Sequence, residues 1–285
     1  MKYQETTLEN ITVEGLYLYG IRERTPNAPA FSAKGIDGKG GVFTVACRNL
    51  ETIVCKVSLE EYGSDEIRRR AQEDLKWIKE KALAHQSVLA EAMTQGERTI
   101  SLIPMRFGVI FKEQAGLEAT LAKRYVKYQS VLSYLRGKQE WSLKAYLVDR
   151  NKLEQEVKEN NEVIRKKAKE IAAAPEGLAF FLEEELNALI IEGLDKELTI
   201  IVDALFNRFK KYASAAAENK LLRKEVTGRT EPMVLNAAYL IPEENVPGFR
   251  IELREVDTLL SAKGLFLEES GPWAAFNFAS DEPTN

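Results

Sequence analysis

The segment DLKWIKEKALAHQSVLAEAM, residues 74–93, leads through a short polar break into TISLIPMRFGVIF, residues 99–111. Together they decide how the first half of the chain is read. Ile67, Ala71, Leu75, Ile78, Ala82, His85, Leu89 and Ala92 recur at alternating steps of four and three. That spacing predicts one amphipathic helix from Ser64 to Ala92, with Ser64 as its N-cap and Asp65 and Glu66 in the first turn, where carboxylates suit the helix dipole. The lone histidine, His85, falls on its core-facing stripe. Ile100–Pro104 and Phe107–Phe111 predict one bent strand or a strand pair, with Pro104 at an edge or bulge.

Upstream, a polar lead-in (1–14) precedes the strand GLYLYGI (15–21). A loop closing on GIDGKGG (35–41) then feeds short β-rich runs at 42–46 and 53–57, linked as a hairpin or a one-turn helix. Downstream, Leu117, Leu121, Tyr125, Tyr128, Leu132 and Leu135 predict a second helix over 113–136, with Gly137 at its C′ position. WSLKAYLV (141–148) reads as a strand. A charged helix over 149–174 and a long one over 178–217, joined by APEG, form a helical hairpin. The longer one has a stripe that drifts, through a kink near Gly193 or a change of partner. A strand (233–241), a helix (246–262), a strand (265–268), an aromatic segment and a disordered tail follow. The expectation is an α+β protein of two domains. Residues 1–137 would form a mixed sheet with two long helices, and residues 138–285 a modified ferredoxin-like sheet with the hairpin and the aromatic tail.

With 40 basic and 44 acidic residues, the chain has no cationic excess for general polyanion binding. Two cysteines, Cys47 and Cys55, without CxxC spacing, indicate a reducing compartment and no zinc site. The start lacks a signal-peptide pattern, and no apolar run is long enough to span a bilayer. A cytoplasmic chain is expected.

Chemistry has few candidates. His85 is the one imidazole, and its place on the buried stripe favours an interior histidine bonded to a carbonyl or carboxylate over a general base. Arg106, within PMRFG, either clamps an anion or pairs with Asp74 or Glu73; the structural pairing is preferred. GIDGKGG lacks the GK[ST] of a phosphate loop and has no helix at its end. No GxSxG surrounds any serine. The residues alone thus name no catalytic set, cofactor or metal, and favour binding or assembly.

These same stretches, GLYLYGI, GIDG, DLKWIKEKALAHQSVLAEAM, LIPMRFGVIF (102–111), WSLKAYLVD (141–149), PEGLAFFLEEEL (175–186), GRTEPMVLNAAYLI (228–241) and GPWAAFNF (271–278), resemble in order and spacing the gas vesicle protein F/L family, F-type members preferred. The resemblance implies two α+β domains, one a modified ferredoxin-like domain, and a non-enzymatic role associated with gas vesicles. It implies binding of the hydrophobic major shell protein, limiting its aggregation and helping to nucleate the vesicle. A minor structural component of the wall is the alternative, and other gas vesicle accessory proteins are further partners to consider. An anion- or nucleotide-binding enzyme comes last, and neither nucleic acid nor membrane is an expected partner. Candidate contact residues are Ile100, Leu102, Val109 and Phe111 on the strand edges, and Trp273 and Phe276 in the tail, which either forms a partner-binding arm or packs back on its own sheet.

Overall fold

The computed structural model describes residues 13–26, 28–96 and 98–279. Most of the polar lead-in and the end of the tail lie outside them. The backbone divides into two units: Met1–Gly137 with Ala274–Asn285, and Lys138–Trp273.

In the first unit, β1 (Glu14–Glu23) runs through the sheet with its eight inner residues buried, as a strand covered on both faces should. β2 (Val42–Cys47) and β3 (Leu50–Ser58) form a hairpin, and β3 pairs antiparallel with β1. α1 (Leu59–Tyr62), α2 (Ser64–Glu73) and α3 (Leu75–Ala92) follow. The single helix expected over this span is broken at Asp74. Its backbone leaves the helical region, and its carboxylate accepts the Trp77 N–H at 2.9 Å, capping α3. Gly63, not Ser64, holds the N-cap position of α2.

A short hairpin, β4 (Thr94–Gln95) with β5 (Arg98–Thr99), precedes β6 (Leu102–Pro104) and β7 (Ile110–Phe111), and α4 (Gln114–Leu135) closes the segment. The strand order is β2-β3-β1-β6, with β7 also on β1. Every pairing is antiparallel, so the mixed sheet expected here is corrected: hairpin and return connections reverse the chain between neighbours. One face packs Tyr17, Tyr19, Ile53, Cys55 and Val57 against Ile67, Val88, Leu89 and Ala92. Residues of alternate parity, Leu18 and Val54 among them, turn the other way. α4 packs on β1, β2, β6 and β7 and buries Leu117, Leu121, Tyr128, Leu132 and Leu135.

The second unit starts with β8 (Lys138–Leu147). α5 (Arg150–Asn160) and α6 (Glu162–Ala173) replace the one charged helix expected, because Asn161 stops the first and caps the second through the N–H groups of Val163 and Ile164. α7 (Glu176–Lys210) is a single 35-residue helix. It ends short of the predicted limit because Ala215–Glu218 is a strand, β9. After α8 (Lys224–Thr227) come β10 (Met233–Pro242), α9 (Val246–Ala262) and β11 (Leu265–Trp273). The antiparallel order β11-β8-β10-β9 completes a β-α-β-β-α-β ferredoxin-like sheet, the first crossover being three helices instead of one.

α7 runs on through Gly193 without interruption. A Cβ there would stand 2.8 Å from Val157 Cγ1, so glycine lets α5 lie close. The drifting stripe reflects changing partners, α6 and α5 first and β10 later. The core joins Leu153, Val157, Ile190, Leu194, Leu205 and Phe209 to Leu143, Ala145, Tyr239, Phe249 and Val256.

Candidate functional site

The edge of the first sheet is templated by β1. Gly20, Ile21 and Arg22 pair with Pro104, Ile103 and Leu102, and Leu16 and Tyr17 pair with Phe111 and Ile110. Between these stretches the Met105 N–H donates to Tyr19 O at 2.8 Å, and the Leu18 N–H donates to Val109 O at 2.9 Å. Residues 102–111 therefore form one edge with a short excursion, the bent strand expected. Gly20 permits the approach: a Cβ there would lie 2.9 Å from Ile103 O. Among the described residues β6 and β7 pair with no strand but β1. Ile100, Val109 and Phe111 are half-buried. Leu102 is 1 % exposed and belongs to the core, so it is removed from the contact candidates. Arg106 lies exposed in the excursion rather than within a strand; Asp74 caps α3, and Glu73 pairs with Arg69.

Behind this edge lies a buried polar cluster. Tyr17 Oη accepts from the Gly108 N–H at 3.2 Å and shares a hydrogen bond with His85 Nδ1, 2.8 Å away. His85 thus meets the Tyr17 phenol at Nδ1, and the Met105 backbone acts on the same ring in the sense of the carbonyl expected. Its other nitrogen, Nε2, is buried with no close hydrogen-bond partner among the described residues. Burial lowers the His85 pKa to about 4, opposed less strongly by the Met105 backbone. Burial also pushes the Tyr17 and Tyr19 phenols and the Cys55 thiol up; Tyr19 Oη and Cys55 Sγ are 3.2 Å apart. All four groups are neutral near pH 7, and the thiol is a poor nucleophile in that state. This is a satisfied interior cluster with one orphan nitrogen, and it lacks the carboxylate that would orient a general base.

GIDGKGG is a closed turn. Asp37 Oδ1 accepts from the N–H groups of Lys39 and Gly40, amides that a phosphate would otherwise need. Ile36 O accepts from Tyr62 Oη and Lys81 Nζ. Sequence reasoning missed a buried ion pair: Arg22 Nε donates to Glu51 Oε1 at 2.7 Å, and its Nη1 donates to Ala92 O at 2.5 Å. The two residues are opposite each other on β1 and β3, a register that no local pattern announces.

The aromatic tail neither extends as a free arm nor packs on the second sheet. Ala274 and Ala275 are buried, Ala274 in the first unit's core, and Phe276 lies 6.5 Å from His85 between ring centroids. Trp273 ends β11, with its indole N–H on Ser270 Oγ at 3.1 Å. The two tail candidates therefore belong to different units.

Comparison with known proteins follows the same boundaries. The family model described as gas vesicle synthesis protein GvpL/GvpF matches residues 15–280. The chain belongs to this family.

Gas vesicle protein F of Nostoc sp. strain PCC 7120 is 26% identical over 85% of this chain and 89% of its own length. Gas vesicle protein L of Streptomyces sp. strain CB03234 is 27% identical over 86% of each. F-type and L-type relatives thus match equally well. The crystal structure of GvpF from Anabaena sp. PCC7120 superposes with a TM-score of 0.71, at 22% identity, over 95% of this chain and 100% of that one. It shares the two-sheet α+β fold. The family's description, gas vesicle synthesis, gives the chain a gas-vesicle-related role, and the family is not one of known enzymes. No helix among the described residues is long and apolar enough to cross a membrane.

Proposed function

We propose that the chain is an assembly factor that binds the hydrophobic major shell protein through the edge of its first sheet, limits its aggregation and helps nucleate the vesicle. The observation that carries this reading is the β6–β7 edge, with no second strand beside it among the described residues and with Ile100, Val109 and Phe111 half-exposed along it. A sheet edge can accept a partner strand through main-chain hydrogen bonds while flanking apolar side chains cover the partner's surface. The net charge of −4 would keep such a complex dispersed.

The test is co-expression of the full chain with the major shell protein, comparing wild type with Ile100→Asp/Val109→Asp. The expected result is soluble shell protein with wild type, and its loss to the pellet with the double variant, while circular dichroism shows both chains folded. Equal solubility of the shell protein with wild type and variant would overturn the edge as the contact.

A further inference from the structure

The first half of α7 is apolar on two sides. Leu186, Leu189, Ile190 and Leu194 join the core of the second unit. Phe180 and Phe181 are each 63 % exposed and Ile191 is 52 % exposed, and the two phenylalanine rings meet edge to face at 5.9 Å. Residues 180 and 184, then 187 and 188, then 191 and 195 are linked by steps of three or four, so they share one stripe of the helix. Asn187 and Ala188 on it are exposed too. The charges within this stripe are of one sign, with exposed Lys196 just beyond its end. Glu184 and Asp195 lie within it, Glu183 and Glu192 flank it, and none of the four makes an ion pair among the described residues; neighbouring Glu185 is taken by Lys167.

We infer that this outer face of α7 docks an amphipathic basic helix of another protein. The partner offers apolar residues at three–four spacing to Phe180, Phe181, Ala188 and Ile191, and lysines or arginines to Glu184 and Asp195. Charge selects this occupant. A second copy laid on the same stripe would set carboxylates against carboxylates, and an anionic surface would meet the same repulsion. From 180 to 195 the stripe is roughly 22 Å long, about four turns of a partner helix. The surface lies in the second unit and depends neither on the β6–β7 edge nor on the shell protein.

The test uses the full chain and a fluorescent synthetic helix of about 18 residues, leucines on one face and lysines on the other, with a leucine–glutamate peptide of the same pattern as control. Binding is read by anisotropy, and oligomeric state by sedimentation. Phe180→Ser/Phe181→Ser and Glu184→Lys/Asp195→Lys are each expected to weaken the lysine peptide by about tenfold or more, and Glu60→Lys/Glu255→Lys, placed elsewhere, to change it by less than about twofold. All substituted side chains are exposed, and melting curves verify folding. The proposal is overturned if the lysine peptide does not bind, if either α7 variant binds it like wild type, or if the distant variant loses as much. It is also overturned if the glutamate peptide binds equally, or if a wild-type dimer is dissolved by Phe180→Ser/Phe181→Ser.

Discussion

At the scale of single residues, two buried groups control stability. His85 titrates near pH 6.5 in the unfolded chain and at about 4 in the folded one, because burial disfavours the imidazolium. Between those values the unfolded state binds the proton first, so stability falls as pH drops, by about 2–3 kcal/mol when pH 4 is reached. Urea unfolding at pH 7.5, 5.5 and 4.5 should show this decline in wild type and a flatter profile in His85→Leu. Parallel profiles would remove His85 as the cause. The Arg22–Glu51 pair acts at all pH values where both are charged. Glu51→Ala leaves the guanidinium buried with only Ala92 O to satisfy it, which should cost about 3–5 kcal/mol. Arg22→Met/Glu51→Leu removes both charges and should recover much of that loss in the same unfolding assay, an outcome that a pair with net stabilising charge attraction would not give. His85 was legible as interior because its position follows from helical spacing. Arg22 was not, because its partner is set by strand register across the sheet.

Element boundaries turn on residues whose type has two meanings. Asp74 and Asn161 both fall inside single helices expected over 64–92 and 149–174, yet each stops one helix and caps the next. Nothing local separates a surface Asn from a cap until the flanking helices are held at an angle by their packing. Replacing Asn161 with Ala should cost about 1 kcal/mol in chemical unfolding, since the N–H groups of Val163 and Ile164 lose their acceptor. Gly193→Val should cost more, about 1–3 kcal/mol, because Val157 of α5 occupies the space a side chain needs. A larger loss for Asn161→Ala than for Gly193→Val would mean that capping, not close approach, fixes the α5–α7 pair. The apolar runs of β1, β8 and β10 made the two sheets readable. β9 did not stand out, since AAAE has little strand preference and becomes a strand only beside β10. The edge at 102–111 was readable through Pro104, whereas the burial of Leu102 depends on the cluster it joins with α3 and the opposite strands.

For the whole molecule, the chain order is not the domain order. The first unit leaves off at Gly137 and resumes at Ala274, so a fragment ending at 137 lacks part of its own core. Ala274 is fully buried among Tyr17, Val88 and Leu89 in that cluster, and Phe276 reaches the ring of His85. Composition concealed this, because an aromatic tail after a strand reads equally as an arm or as cover for the sheet that precedes it. Ala274→Asp would place a carboxylate where the core offers no cation, and burying an unpaired charge is among the few single changes that cost several kcal/mol. Local opening then falls on the unit whose core is damaged, because protection against hydrogen exchange reports the cooperative unit to which an amide belongs. Exchange measured by mass spectrometry should therefore accelerate in β1, β3 and α3 of the variant and stay near wild type in β8, β10 and α9. Acceleration confined to β8, β10 and α9 would return the segment to the second unit, and acceleration everywhere would show that the two units unfold as one.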